Sequence, residues 1–198
     1  MSSLVVDLKK DPRVKIYSDL LRKWNQAYNL TSIVDPNEIL VKHFEDSLRL
    51  VSYLPKTGKV LDVGTGAGFP GIPLKMALPG LDVTLLDSKR KKILFCETVI
   101  RELKMDGIRA IQGRIEGLDC SSYDVIVSRA TFKAEEFFKI LAPFLGKNKK
   151  MLLMKGPSWE EEMKHLSLKV DVFPYTLSDG SQRVLLQLGA SETISAKS

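Results

Sequence analysis

The sequence predicts an α/β fold: an open, Rossmann-like, mostly parallel sheet of seven strands with an antiparallel last strand and a helical segment ahead of the first. Three observations predict it. From Lys59 onward, short apolar runs alternate with amphipathic stretches, the pattern of parallel strands joined by right-handed helical crossovers. The run Val60-Leu61-Asp62-Val63 breaks abruptly into the small residues Gly64, Gly66, Gly68 and Gly71. A buried strand feeding such a turn is how an open α/β sheet builds a ligand site beyond its carboxyl edge. Late in the chain, runs 170–175 and 183–188 are joined only through the turn Ser178-Asp179-Gly180, so they must pair antiparallel.

The elements follow in order. Ile16, Leu20, Leu21, Trp24 and Tyr28 recur at helical spacing and give 14–28 one buried face, with Arg22 and Lys23 mostly on the other. Asn29-Leu30-Thr31-Ser32 breaks that pattern. Asp35-Pro36-Asn37-Glu38 is a helix start, a capping residue followed by an early proline, and apolar positions from Ile39 to Val51 carry a second helix to Leu54-Pro55. This helical preface serves either as packing or as a wall of a substrate site. After the glycine turn, 72–78 is a short helix, begun with Pro70 and Pro73 and ended by Pro79-Gly80. Residues 83–87 are a second buried strand ending in an acid. Ser88 is placed to cap the next helix, whose buried positions are Ile93, Cys96, Ile100 and Leu103. Lys89, Arg90, Lys91 and Lys92 crowd its first turns, where cations oppose the helix dipole. That run is either an anion-binding surface or a solvated basic face. Strands at 108–112, 123–127 and 151–154 complete the parallel set. Between them lies a helix over 131–145 with Phe132, Phe137, Phe138 and Leu141 for burial, and an acidic helix spans 159–166. The expected division is a helical extension at 1–56, a core at 57–190 and a frayed polar tail at 191–198.

Composition narrows the classes. At 198 residues, the chain fits one domain with a small extension. Hydrophobic residues at 44% and charged residues at 27% are ordinary for a soluble globular protein. The net charge of +6 and pI near 9.2 make an anionic partner plausible. No apolar run reaches membrane-spanning length, and the N-terminal residues lack the apolar core of a signal peptide. Cys96 and Cys120 have neither metal nor redox spacing. The expectation is a reduced cytoplasmic monomer without a metal.

The glycine turn admits two ligands. Gly66-x-Gly68-x-x-Gly71 formally matches a dinucleotide fingerprint, and Asp87 falls 21 residues after Gly66, near the position of a ribose-binding acid. Asp62 weighs the other way. Two residues before Gly64, it is expected at the mouth of the site, where a carboxylate repels a pyrophosphate and welcomes a cation. S-adenosylmethionine (AdoMet) carries a sulfonium, an ammonium and a ribose that suits Asp87. An NAD-linked oxidoreductase stays open on the glycines alone.

The segment Asp62-Val63-Gly64-Thr65-Gly66-Ala67-Gly68-Phe69-Pro70-Gly71-Ile72-Pro73 resembles the cofactor loop of the ribosomal small-subunit methyltransferase G family, also called GidB. Asn29-Leu30-Thr31-Ser32-Ile33 and His43-Phe44-x-Asp46-Ser47-Leu48 resemble that family's N-terminal signature, and the resemblance covers nearly the whole chain. It implies a class I AdoMet-dependent methyltransferase fold and methylation of guanine N7 in small-subunit ribosomal RNA. It also implies cofactor contacts at Gly64, Phe69, Ile115, Glu116 and Arg129, beside the residue-level candidates Asp62, Gly66 and Asp87. His43, Asp46, Ser47, Lys155 and Arg183 match signature positions without a derivable role, and Val184 stands where the family usually carries a histidine. Arg129 is expected to matter for turnover rather than for folding, and no residue is assigned as acid, base or nucleophile. The absences fit an N7 acceptor. Cys120 precedes the fourth strand, away from the carboxyl edge, and Ser128-Arg129-Ala130-Thr131 stands where amine methyltransferases carry a D/N-P-P-Y/F-like segment. Guanine N7 offers a free lone pair, so it needs neither nucleophile nor base. A small-molecule or protein methyltransferase on the same fold, and a non-catalytic RNA-binding module, are the alternatives.

Overall fold

In the computed structural model, residues 10–129, 133–141, 144, 149–163 and 170–189 are described. The strands are β1 (Gly58–Val63), β2 (Leu81–Asp87), β3 (Ile108–Gln112), β4 (Val125–Arg129), β5 (Lys150–Lys155), β6 (Asp171–Thr176) and β7 (Gln182–Gly189). They form one sheet in the order β3-β2-β1-β4-β5-β7-β6. The first five run parallel, and β7 lies antiparallel to both β5 and β6. The order reverses between β1 and β4, which is the switch point where such sheets leave a crevice at their carboxyl edge.

Side chains on a strand alternate between faces, and here the alternation feeds two cores. Val60, Leu85, Val127 and Leu152 point into one, and Leu61, Leu86, Ile126 and Leu153 into the other. The first core also takes residues of α1 (Pro12–Tyr28), α3 (Gly71–Ala77) and α4 (Arg90–Glu102). The second takes residues of α5 (Ala134–Leu141), with Trp159 and Met163 of α6 (Trp159–Met163) packed against it.

The helical preface has a composite second member, α2. An α turn at Pro36–Glu38 passes through a π-helical stretch at Ile39–Glu45 and a second α turn at Asp46–Leu48 into a 3-10 turn at Arg49–Tyr53. Asp35 caps its start by accepting from the N–H groups of Asn37 and Glu38. Every residue from His43 to Leu48 is buried, which a one-sided amphipathic helix does not do. The reason is that α2 is enclosed by the glycine turn, the end of β4 and the β6–β7 hairpin.

Several expectations shift. Ser88 does not cap α4: the Asp87 carboxylate accepts from the Lys89 N–H at 2.9 Å, and Lys89 stands at the cap position without a side-chain cap. The fourth strand extends through Arg129 instead of ending at 127. The expected helices at 131–145 and 159–166 are described only over Ala134–Leu141 and Trp159–Met163. Ala130, Thr131, Phe132, Lys147, Leu166 and the tail at 191–198 lie outside the described residues. Among the described residues, no helix is long and apolar enough to cross a membrane.

Candidate functional site

The turn after β1 is built from both ends. The Gly64 and Thr65 N–H groups donate to Leu86 O at 2.8 and 3.0 Å, which binds the turn to the end of β2. Beneath it, Asp62 Oδ2 accepts from Thr65 Oγ1 at 2.6 Å and from the Gly71 N–H at 2.8 Å. Asp62 is therefore a buckle that closes the loop from below. It is fully buried, and Oδ1 has no hydrogen-bond partner. Burial raises its pKa to about 6, against the two bonds at Oδ2, which lower it. The sequence places Asp62 at the mouth of the site. The structure corrects this: its carboxylate faces the underside of the turn, because two loop donors converge there.

Two glycines of the turn do different work. Gly68 has φ +89°, and a Cβ on it would stand 2.6 Å from the Tyr17 hydroxyl. Gly66 has φ +62°, and a Cβ there would meet only Lys92 Nζ at 3.8 Å and Gly64 O at 3.9 Å. The face of the loop at Gly66 is thus open, with room for a ligand to approach the backbone.

Phe69 is wedged between the preface and the turn. Its ring stacks on Tyr17 at 4.9 Å and on His43 at 4.5 Å, with Phe44 edge-on. The Tyr17 hydroxyl donates to Ala67 O, so α1 also grips the loop backbone. Arg129 continues this junction from the end of β4. Its Nη1 donates to Lys42 O at 2.9 Å and lies 3.3 Å from Asp46 Oδ2, and its Nη2 lies 2.9 Å from His43 Nδ1. Since guanidinium only donates, His43 Nδ1 accepts, and Nε2–H points at Thr31 Oγ1, 3.1 Å away. Burial first, and the Arg129 charge second, lower the His43 pKa to about 3. His43 is a neutral, fully bonded imidazole.

The same helix is tied to the late hairpin. Tyr175 donates to Asp46 Oδ1 at 2.7 Å. The Ser178 N–H and hydroxyl donate to the two oxygens of Glu45, and Arg49 donates to Thr176 O. Burial first, then the charge and hydrogen bond of Asp46, push the Tyr175 phenol well above its usual pKa.

Two clefts open on either side of Gly64. One, of about 260 Å³, is lined by Asp87, Lys92, Gly113, Ile115 and Glu116. The Asp87 carboxylate is held at its rim by the Gly66 N–H at 3.0 Å. The other, of about 320 Å³, lies against the preface and is lined by Thr31, His43, Gly66, Phe69 and Arg129. Lys42, Lys92, Lys155 and Arg183 also line it, whereas among the described residues Asp46 is its single carboxylate. Lys155 pairs with Glu162 of α6 at 2.6 Å. Gly64, Asp87, Ile115 and Glu116 thus meet in the first cleft, and Gly66, Phe69 and Arg129 in the second. Ser47 is buried behind the second cleft, with its hydroxyl on His43 O. Tyr175 and Glu162 were not singled out from sequence, and Lys92 was named only within its run. Lys92 alone left a signal, as part of the basic run at 89–92.

A family model described as rRNA small subunit methyltransferase G, GidB, matches residues 10–176. The chain belongs to this family. It is 44% identical over 154 residues to the ribosomal RNA small subunit methyltransferase G of Alkaliphilus oremlandii, covering 74% of this chain and 64% of that protein. The chain therefore spans less than two thirds of that relative. To the protein of the same name from Francisella philomiragia it is 41% identical over 161 residues, covering 81% of this chain and 78% of that one. Among solved structures, an AdoMet-dependent methyltransferase from Aquifex aeolicus aligns with TM-score 0.58 at 19% identity, over 77% of this chain and 93% of that one. A tRNA methyltransferase from B. subtilis aligns with TM-score 0.60 at 12% identity, over 76% of this chain and 68% of that one. The fold is that of class I AdoMet-dependent methyltransferases.

Proposed function

We propose that this member of the family is a cytoplasmic enzyme that methylates N7 of a guanine in small-subunit ribosomal RNA, with AdoMet as donor. The observation that carries the reading is the pair of clefts meeting at Gly64, one with the Asp87 carboxylate at its rim and the other lined by cations. The open cradle at Gly66 fits the cofactor, and Asp87 is the acid for its ribose hydroxyls. Ile115 and Glu116 flank the adenine position. When bound, AdoMet supplies an electrophilic methyl group for direct displacement. Asp62 acts from below, by holding the loop shape, and Phe69 and Arg129 fix the wall that faces the donor.

The chain's own groups support an acceptor that needs no deprotonation. Cys96 is buried, with its thiol directed at Gly66 O, and Cys120 is buried in the second core. Burial raises both thiol pKa values, that of Cys120 to about 11, so neither is poised as a thiolate. His43 has both ring nitrogens engaged and is not a free base. What remains is positioning and exclusion of water, which is enough for transfer to a lone pair. The cation-lined cleft suits the phosphates that flank a target base. The decisive experiment maps N7 methylation on rRNA from a strain lacking the gene, with and without the wild-type protein restored. A methylation pattern unchanged by the deletion overturns the reading.

A further inference from the structure

We propose that Lys92 couples the two clefts: it is held by Asp87 while the nucleoside cleft is empty, and cofactor ribose on Asp87 releases its ammonium to bind a phosphate of the RNA. This rests on the reading above and deepens it.

Lys92 lines both clefts. Lys89 also lines the first cleft, but among the run's residues Lys92 alone lines both, and the two between them are directed elsewhere. Lys91 donates to Tyr28 O at 2.6 Å, and Arg90 lies 3.9 Å from Glu97. Lys92 instead turns over the glycine loop, where its Nζ stands 3.8 Å from the position of a Cβ on Gly66. It occupies the first turns of α4, where the helix dipole disfavours a cation, so helix stability does not account for it.

Its tie to Asp87 is weak. Nζ lies 3.4 Å from Oδ2, whereas charge-assisted N–H···O bonds run at about 2.7–2.9 Å. That oxygen already accepts from the Gly66 N–H at 3.0 Å, and Oδ1 accepts from the Lys89 N–H at 2.9 Å. The carboxylate is therefore fixed by backbone donors and does not need Lys92 to hold its place. Ribose hydroxyls arriving on Asp87 compete with the longest of its bonds. The amine then has the second cleft in reach, beside Lys42, Arg129, Lys155 and Arg183. A cation freed by one ligand and used by another gives positive coupling that must be reciprocal.

The test measures affinity for an in-vitro transcribed small-subunit rRNA across a salt series, with and without saturating S-adenosylhomocysteine. That product carries the ribose without the sulfonium, so its own charge adds no attraction. The expected result for wild type is RNA binding tightened on the order of 5- to 10-fold by the product. The slope of log affinity against log salt should steepen by about 0.7–0.9, one further phosphate contact. Lys92→Met should bring both the gain and the extra slope close to nothing, and Lys92→Arg should restore part of each. Because the gain is a ratio within each variant, a general loss of affinity does not affect it. Wild-type binding without a product-dependent gain, or a full gain in Lys92→Met, overturns the coupling and leaves the proposed function standing. Wild type that binds the small-subunit rRNA neither free nor in the assembled subunit overturns both.

Discussion

Replacing Arg129 by alanine separates its two roles, holding the preface against the sheet and shaping the site. Its side chain is 14% exposed and that of Asp46 is 5% exposed, so the pair is largely out of water. Removing one partner of a buried pair costs about 3–5 kcal/mol, because the other charge is left without compensation. Here His43 Nδ1 also loses its donor, and Lys42 O loses a 2.9 Å bond. At about 2–4 °C per kcal/mol for a chain of this size, Tm should fall by roughly 6–20 °C. The sequence alone expects a normally folded variant, and the contacts to Lys42, His43 and Asp46 are the reason to expect otherwise. A second readout is local. The His43 pKa is held near 3 by burial and by the Arg129 charge. With the guanidinium gone, burial remains, so the pKa should rise while staying below 6.5. Thermal unfolding by circular dichroism gives the first number, and the pH dependence of the His43 ring resonances gives the second. A Tm within about 2 °C of wild type, with an unmoved His43 titration, would refute Arg129 as the tie between preface and sheet.

Three further outcomes follow from the turn. Gly66→Val should fold but lose cofactor binding, because its side chain enters the cradle at a positive φ, whereas Gly68→Ala should be destabilised by collision with the Tyr17 hydroxyl; calorimetry with AdoMet and thermal melts distinguish them, and a Gly66→Val protein with normal affinity refutes the cradle. Asp87→Ala should weaken AdoMet binding by about 1–3 kcal/mol, roughly 5- to 150-fold in Kd, and an unchanged Kd removes Asp87 from the ribose. Asp62 is an acid with a folded pKa of about 6 above the ordinary 3.8, so the folded state binds the extra proton and its contribution to stability falls as pH rises between about 4 and 6. Measured by urea unfolding, the stability of wild type relative to Asp62→Asn should therefore increase by about 2 kcal/mol from pH 7 to pH 4; a difference that does not change with pH refutes the buried, under-bonded carboxylate.

The parallel core was legible because its signals are local. Apolar runs, the glycine turn and an acid at a strand end all lie within a few residues of one another. The grouping of Gly64, Asp87, Ile115 and Glu116 follows from that, since each stands at the carboxyl edge of a parallel strand. What the sequence did not carry was direction. Asp62 and Asp87 are both acids at strand ends, yet one turns beneath the loop to meet Thr65 and Gly71 and the other turns to the cleft rim. Nothing in the residue types distinguishes them. The contacts of Asp46 were equally invisible, because Tyr175 lies 129 residues away and Arg129 lies 83 away. Ser88 failed as a cap because the neighbouring Asp87 is the stronger acceptor and is already fixed by the loop.

From sequence, the preface served either as packing or as a substrate wall, and in the structure the first of these does not exclude the second. The residues that pack it on the sheet also face the cation-lined cleft. Phe69 is held from one side by Tyr17 of α1 and from the other by His43 of α2. Asp46 joins Arg129 of β4 to Tyr175 of β6. A side chain that must remain neutral and immobile beside a cation can do so only if every polar atom on it is bonded, and His43 meets that condition through Thr31 and Arg129. In the proposed reaction, positive charge moves from sulfur to the base while no side chain changes its protonation. A wall of fixed, fully bonded groups suits that chemistry better than a titrating one, because nothing in it must reorganise as the charge crosses.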